Sequence, residues 1–199
     1  MNVFIVGLFL ILLAKSCHGQ CRHWLTPELH YFDDNKETSA GTYGSGTFSI
    51  VGLPAHQSST YPGLLAGNAV DGSSSSMIGS CSHTFIDDPA PWWRVDLGVD
   101  HCIGKVRVLN RGVCCSDRLT GAVVRAGNST TVTDNPTCGS PVTADQAQPL
   151  GGTIDFDCRP QLRARYISVD IPHRATLQLC EVTAEEVPLD CCLGKSNGA

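Results

Sequence analysis

Two arginines seven positions apart flank a pair of adjacent cysteines in Asn110-Arg111-Gly112-Val113-Cys114-Cys115-Ser116-Asp117-Arg118. A guanidinium stays charged and carries its donors in a planar fork, so it can donate to two vicinal hydroxyls at once. A turn between Arg111 and Arg118 would aim both at one place, with the sulfurs as a polarisable apolar ledge between them. Such a set suits a sugar. Neighbouring Cα atoms lie about 3.8 Å apart across a trans peptide, whereas a disulfide normally needs roughly 4.4 to 6.8 Å. A Cys114–Cys115 bond would therefore strain the backbone, and spacing alone leaves open whether these cysteines bond to each other or to remote partners. Upstream, His83 in Gly79-Ser80-Cys81-Ser82-His83-Thr84 offers a third polar group whose role depends on its tautomer. Read alone, it is an ordinary surface histidine.

Carboxylate pairs offer a competing chemistry, since most glycoside hydrolysis uses two carboxyl groups facing one bond. Asp87 with Asp88, and Asp155 with Asp157, are the candidates. Residues two apart on a strand share a face, so Asp155 and Asp157 read as a solvated strand surface. Neither GxSxG nor HExxH occurs. An enzyme is not the expectation.

The net charge of −5, with scattered basic residues, excludes a nucleic-acid partner, which needs clustered Lys and Arg to replace condensed counterions. The apolar run from Val3 to Leu13 ends in small residues and falls short of the ~20 residues a spanning helix needs, so residues 1–19 read as a cleaved secretory signal. No later segment could insert in a membrane. Of the eleven cysteines, Cys17 falls in the signal, leaving an even number in an oxidising compartment. Disulfides are expected over zinc, because no CxxC pair appears. The sequon Asn128-Ser129-Thr130 suits a secreted surface.

Positioning these residues requires a scaffold, and the texture of the chain supplies one. Residues 20–46 are polar and glycine-rich without apolar periodicity and read as a flexible leader or pro-segment. Beyond them, apolar residues alternate with polar ones in Trp93-Arg94-Val95-Asp96-Leu97, Lys105-Val106-Arg107-Val108, Thr153-Ile154-Asp155-Phe156-Asp157 and Arg165-Tyr166-Ile167-Ser168-Val169-Asp170-Ile171. Each is a half-buried strand, because side chains alternate faces along a strand. A last strand is expected over 177–182, and no segment sustains an apolar 3.6-residue period for three turns. The fold class is all-β, two packed antiparallel sheets in a sandwich or jelly roll. A single compact domain followed by a cysteine-containing tail fits the length.

The series Gln57-Ser58-Ser59-Thr60-Tyr61, Asn68-Ala69-Val70-Asp71-Gly72, Gly79-Ser80-Cys81-Ser82-His83, Pro91-Trp92-Trp93-Arg94-Val95-Asp96-Leu97, Asn110-Arg111-Gly112, Cys114-Cys115 and Leu179-Cys180-Glu181-Val182 resembles the F-type lectin (fucolectin) family. The resemblance places the lectin domain at 47–185 and the tail at 186–199. It implies a jelly-roll β-sandwich that binds L-fucose through His83, Arg111 and Arg118, with Cys114 and Cys115 as a vicinal disulfide against the ring. It implies bridges from Cys81 to Cys180 and from Cys138 to Cys158. Under the loop-entropy model these would contribute ~4.7 and ~3 kcal/mol. Cys21, Cys102, Cys191 and Cys192 fall outside this framework; Cys102 is expected to bond a tail cysteine, with Cys191 and Cys192 both open.

The resemblance further implies a structural calcium ion held by Asn68, Asp71, Ser73, Ser80, Cys180 and Glu181 through side-chain and carbonyl oxygens, which suits a hard cation. Read without it, Asp71-Gly72 is a turn and Glu181 a solvated strand residue. Two departures stand out. Val113 occupies a position where the family carries an acidic residue, and Met77 and Ile78 stand where aromatics are usual; with Tyr61 they are expected to line a pocket for the fucose methyl. The expected function is a secreted lectin whose partners are fucosylated glycans or glycoproteins. An alternative is gamete recognition by a sperm bindin-like protein, stored in a secretory or acrosomal vesicle, binding an egg-surface glycoprotein. Self-association would raise avidity, though no coiled-coil segment drives it.

Overall fold

The computed structural model describes residues 48–189 and Cys192. The expected signal, leader and most of the tail, including Cys21 and Cys191, lie outside the described residues. Seven strands dominate: β1 (Ala55–Gln57), β2 (Ser82–His83), β3 (Trp92–Leu109), β4 (Val123–Gly127), β5 (Thr153–Asp170), β6 (Gln178–Leu179) and β7 (Glu181–Glu186). One four-residue helix, α1 (Ala144–Ala147), and short 3-10 turns fill the connections. The helix starts in a reciprocal capping box in which the Thr143 hydroxyl accepts from the Gln146 N–H and the Gln146 side chain accepts from Thr143.

β3 and β5 form the frame as one long antiparallel pair. Their first contact, Trp92↔Asp170 through Asp96↔Tyr166, is flanked by β1 and β4; their second, His101↔Ala164 through Leu109↔Thr153, is flanked by β7. The register breaks between Asp96 and His101 and again between Ile103 and Lys105. Such irregularities bend a strand and increase its twist. Both halves nevertheless feed one core: Trp93 and Val95 from the first, Val106, Val108, Ile154 and Phe156 from the second. The alternation read in the sequence is the alternation that packs at 93–97 and 153–157, but not at 165–171, where Tyr166 through Ile171 are all buried because β5 is covered on both faces there.

Among the described residues three disulfides cross this frame: Cys81–Cys180, Cys138–Cys158 and Cys102–Cys192. The first two are those implied by the resemblance, and the third selects Cys192 over Cys191. The expected last strand over 177–182 is divided. At Cys180, whose N–H donates to the Leu109 carbonyl, the chain leaves β2 and passes to β3, so β6 and β7 belong to different sheets. Arg125 of β4 donates to Asp170 of β5 at 2.7 Å, a largely buried ion pair. Asn128 of the sequon is exposed just beyond β4. Among the described residues no helix is long and apolar enough to cross a membrane.

Candidate functional site

Asn110 follows directly on β3 and is buried, with all of its side-chain polar groups spent on the loop that follows. Its Nδ2 donates to the carbonyls of Ser116 (3.0 Å) and Ala147 (3.1 Å), while its Oδ1 accepts from the Arg111 N–H (2.8 Å). These bonds fold residues 110–118 into a closed turn on α1. Gly112 then donates its N–H to the Ser76 carbonyl at 2.8 Å, which ties the loop carrying Met77 and Ile78 to the arginine loop. Only glycine fits there, since a Cβ on Gly112 would stand 2.1 Å from the Ser76 hydroxyl.

His83 approaches from β2. Its register partner on β6 is Gln178, and the Cys81–Cys180 bridge pins the two strands just beyond that pair. The ring is buried, with Nδ1 against the Thr84 carbonyl, an acceptor only, so Nδ1 carries the proton. Nε2 is then a lone pair, and the Gln178 side-chain amide donates to it at 2.9 Å. That choice orients the amide and turns its Oε1 to accept from Arg111 at 3.2 Å. A continuous chain Thr84–His83–Gln178–Arg111 results. Burial foremost, with the charges of Arg118 and Arg111, holds the His83 pKa below its ordinary value against the opposing pull of the Thr84 carbonyl. The neutral ring that the geometry requires is the one the electrostatics favour.

Tyr61 packs on His83 with ring centroids 5.1 Å apart, and its N–H donates to the His83 carbonyl. Gln57 holds the same carbonyl from its side-chain amide at 3.2 Å, anchoring the loop that carries Tyr61. His83 and Arg111 are thus joined through Gln178, and Tyr61 lies on His83. Arg118 follows Cys115 on the short 3-10 turn Ser116–Leu119. Met77, 59% exposed, and Ile78 are adjacent to the Ser76–Gly112 tie.

The Cys114 and Cys115 sulfurs lie 2.6 Å apart, longer than a covalent S–S bond of about 2.05 Å and closer than two unbonded sulfurs pack. The peptide between them is trans, which keeps the Cα atoms near 3.8 Å, the separation at which Cys81 and Cys180 are bridged. Cys115 takes a left-handed backbone, φ 61°, that side chains other than glycine rarely adopt. The neighbouring Cys114 thiol, then burial, push the Cys115 thiol up. The two adjacent sulfurs form an uncharged, polarisable ledge between Arg111 and Arg118.

Sequence reasoning missed Gln178 and the work of Asn110. Asn110 lay within a quoted motif, whereas Gln178 in Leu177-Gln178-Leu179 carried no signal of its own and emerges only when β6 pairs with β2.

Of the expected calcium ligands, three have partners or surroundings that bear on a cation. Asn68 donates to the carbonyls of Cys81 (3.2 Å) and Gly79 (3.5 Å), and Asp71 accepts from the Ser73 N–H at 2.8 Å. Glu181 is buried at the start of β7, where the Gly72 and Asp71 N–H groups approach its carboxylate without reaching hydrogen-bond geometry, so neither oxygen has a full partner. Burial first, and the Asp71 carboxylate second, push its pKa up to about 7, while the N–H groups of Gly72 and Asp71 oppose the rise. A buried, unsatisfied carboxylate facing a second one fits a cation between them. Among the described residues no three His, Cys, Asp or Glu side chains converge, so carbonyl and hydroxyl oxygens must complete such a shell.

The competing carboxylate pairs are occupied elsewhere. Burial opposes charge on Asp88, yet bonds from Ser59, Ser58 and the Ala90 N–H, with Arg174 nearby, hold its carboxyl below the usual range. It is a loop staple that accepts and does not donate. Asp155 and Asp157 stand on the outer face of β5 beside Lys105, Arg107 and Arg159.

A family model described as a NedA-like, galactose-binding domain of the F5/F8 type C group matches residues 68–169. The chain is 44% identical over 122 residues to Fucolectin-5 of Anguilla japonica, covering 59% of this chain and 62% of that relative, so less than two thirds of its length is spanned. It is 36% identical over 150 residues to Fucolectin-1 of the same eel, covering 73% and 75%. Among solved structures it is similar to an F-lectin (fucolectin) from striped bass (Morone saxatilis) serum, with a TM-score of 0.60 and 34% identity over 67% of this chain and 46% of that one. The shared strand frame and the length of these matches agree: the chain belongs to the F-type lectin (fucolectin) family, a family of carbohydrate-binding proteins rather than enzymes.

Proposed function

We propose that the chain is a secreted lectin that binds terminal L-fucose on glycans and is stabilised by calcium. The observation that carries this reading is the hydrogen-bonded chain from His83 through Gln178 to Arg111, set beside Arg118 and the sulfur ledge in a protein similar to fucolectins. Arg111 and Arg118 supply charged forks for vicinal hydroxyls. Gln178 occupies the position on His83 Nε2 that a sugar hydroxyl would take, and a hydroxyl donor exchanges for the amide there without a change of tautomer. Cys114, Cys115, Tyr61, Met77 and Ile78 offer apolar surface to the ring and its methyl group. Disulfides are stable in oxidising compartments, and the three among the described residues support secretion.

Calcium held by Asn68, Asp71, Ser73, Ser80, Cys180 and Glu181 would supply the positive charge that the buried Glu181 lacks. Asn68 and Cys180 also belong to the segments that set His83 and Gln178, so a fixed shell there stiffens the sugar site. Retention on immobilised fucose with calcium present, and elution by free L-fucose, is the expected outcome. Absence of retention, or retention undiminished in Arg111→Ala and Arg118→Ala, would sink the reading. Calcium at about 100 times its Kd should stabilise the fold by about 2.7 kcal/mol. Glu181→Gln should abolish most of that response while the apo protein still folds.

A further inference from the structure

We propose that this site prefers an anionic saccharide, a sugar bearing a sulfate ester or a carboxylate, over its neutral counterpart, because Gln178 holds Arg111 in place without neutralising it. The inference deepens the fucose reading and rests on it. Its starting point is how unlike Arg111 and Arg118 are to the ion-paired arginines of the fold; among the described residues Arg94 and Arg174 also lack a carboxylate, but Arg94 donates to the Thr130 carbonyl and lies over the Trp92 and Tyr166 rings, and Arg174 donates to the Asp87 carbonyl. Arg107, Arg125, Arg159, Arg163 and Arg165 each have a carboxylate oxygen within 3.7 Å. Arg111 instead donates to the neutral Oε1 of Gln178, and its Nε is buried with no partner. Arg118 has no carboxylate partner among the described residues.

The surroundings do not make good the deficit. Between the two arginines stand Gly112, Val113, Cys114, Cys115 and Ser116, all uncharged at neutral pH when the thiols are protonated, and the one acidic residue, Asp117, forms no ion pair with either. The closest titratable ring, His83, is held neutral by its bonds to Thr84 and Gln178. Both positive charges reach that ring and the Cys115 sulfur. The site thus carries two positive charges converging on one place without a counter-ion. A sulfate or carboxylate accepts paired N–H bonds from a guanidinium fork, and such charge-assisted bonds are stronger than those to a neutral hydroxyl.

The test compares methyl α-L-fucopyranoside with its monosulfate esters by calorimetry, on the calcium-loaded protein, at about 0.01 M and about 1 M salt, where the Debye length falls from about 30 to about 3 Å. At low salt the preferred monosulfate should bind at least about fivefold more tightly than the neutral fucoside, the scale of a partly exposed ion pair, and the advantage should vanish at high salt. The neutral fucoside should displace it.

Val113→Asp places a carboxylate on an exposed position beside Arg111 and should abolish the preference while keeping neutral-fucoside binding within about twofold. Gln178→Glu should also abolish it and, because its carboxylate favours a proton on His83 Nε2, should raise the His83 pKa seen by NMR. Equal or weaker binding of every monosulfate at low salt overturns the proposal. So does sulfate binding that the neutral fucoside fails to displace, which would mark an adventitious anion only. If neither sugar binds, the fucose reading itself has failed; if only the neutral one binds, that reading stands and this inference falls.

Discussion

The outer faces of the sheets and the loop at residues 110–118 both carry arginines, and they use them in opposite ways. On the sheets, Arg107 bridges Asp155 and Glu185, Arg165 grips both oxygens of Asp96, and Arg125 reaches the buried Asp170. The Arg165 guanidinium beside Asp96 holds that carboxyl below the usual range. These are satisfied pairs with little left to offer a ligand. In the loop, Arg111 leans on a neutral amide and Arg118 on no carboxylate. Unspent charge, held rigidly by Asn110 and the Ser76–Gly112 tie, is what distinguishes a binding residue from a structural one here. Rigidity matters because a guanidinium that is already placed loses little entropy when a ligand docks.

That contrast is broken most severely at Arg125. Arg125→Ala leaves Asp170 charged and buried without its partner, and loss of one half of a buried pair costs about 3 to 5 kcal/mol. Urea unfolding should show the loss, while the fraction still folded binds fucose normally. The reverse signature is expected at Arg118. Arg118→Ala should weaken fucose binding about 10- to 100-fold, the worth of a charged hydrogen bond, and change unfolding stability by less than about 0.5 kcal/mol. A substitution at either residue that moved both readouts equally would erase the distinction between the regions.

Much of this division was legible in the sequence, and the parts that were not share a cause. The strands at 93–97, 105–108 and 153–157 announce themselves because each has one wet face and one dry face. The segment Val123-Val124-Arg125-Ala126-Gly127 does not, since Val123 and Val124 are both buried and no alternation survives. β1, at three residues, is too short for any period. In the site, Arg111, Arg118 and His83 are named by motif, whereas Gln178 is defined by its register with His83, a pairing that spans 95 positions. Long-range pairing is the information that one sequence read locally lacks.

With calcium saturating Glu181, acidification should act on the sugar site through His83. Because the His83 pKa is lowered in the folded protein, the unfolded chain takes up the proton more readily. The stability contributed by neutral His83 is therefore complete above about pH 6.5, the unfolded value, and is lost as pH falls toward the depressed folded value. Protonation also removes the acceptor for Gln178. The amide must then turn its oxygen to His83, and Arg111 loses its hold. Fucose affinity should stay level from about pH 8 to 6.5 and decline below, and NMR of the His83 ring should place its titration in the same range. A titration of His83 above 6.5 would contradict the buried, neutral geometry.

The smallest effect belongs to the exposed ladder. Arg107 is two-fifths exposed and faces Asp155 at 3.1 Å and Glu185 at 2.7 Å. Such pairs exchange one set of hydrated charges for another and hold two long side chains still to do it. Arg107→Ala should cost about 0.2 to 1 kcal/mol, less in 1 M salt, as read by a double-mutant cycle with Glu185→Gln. The short distance at Glu185 does not enlarge that figure, because water remains on every side of the pair. The same guanidinium group, 2.7 Å from a carboxylate in both places, is thus worth least at Arg107, where solvent reaches the pair, and most at Arg125, where burial withholds it.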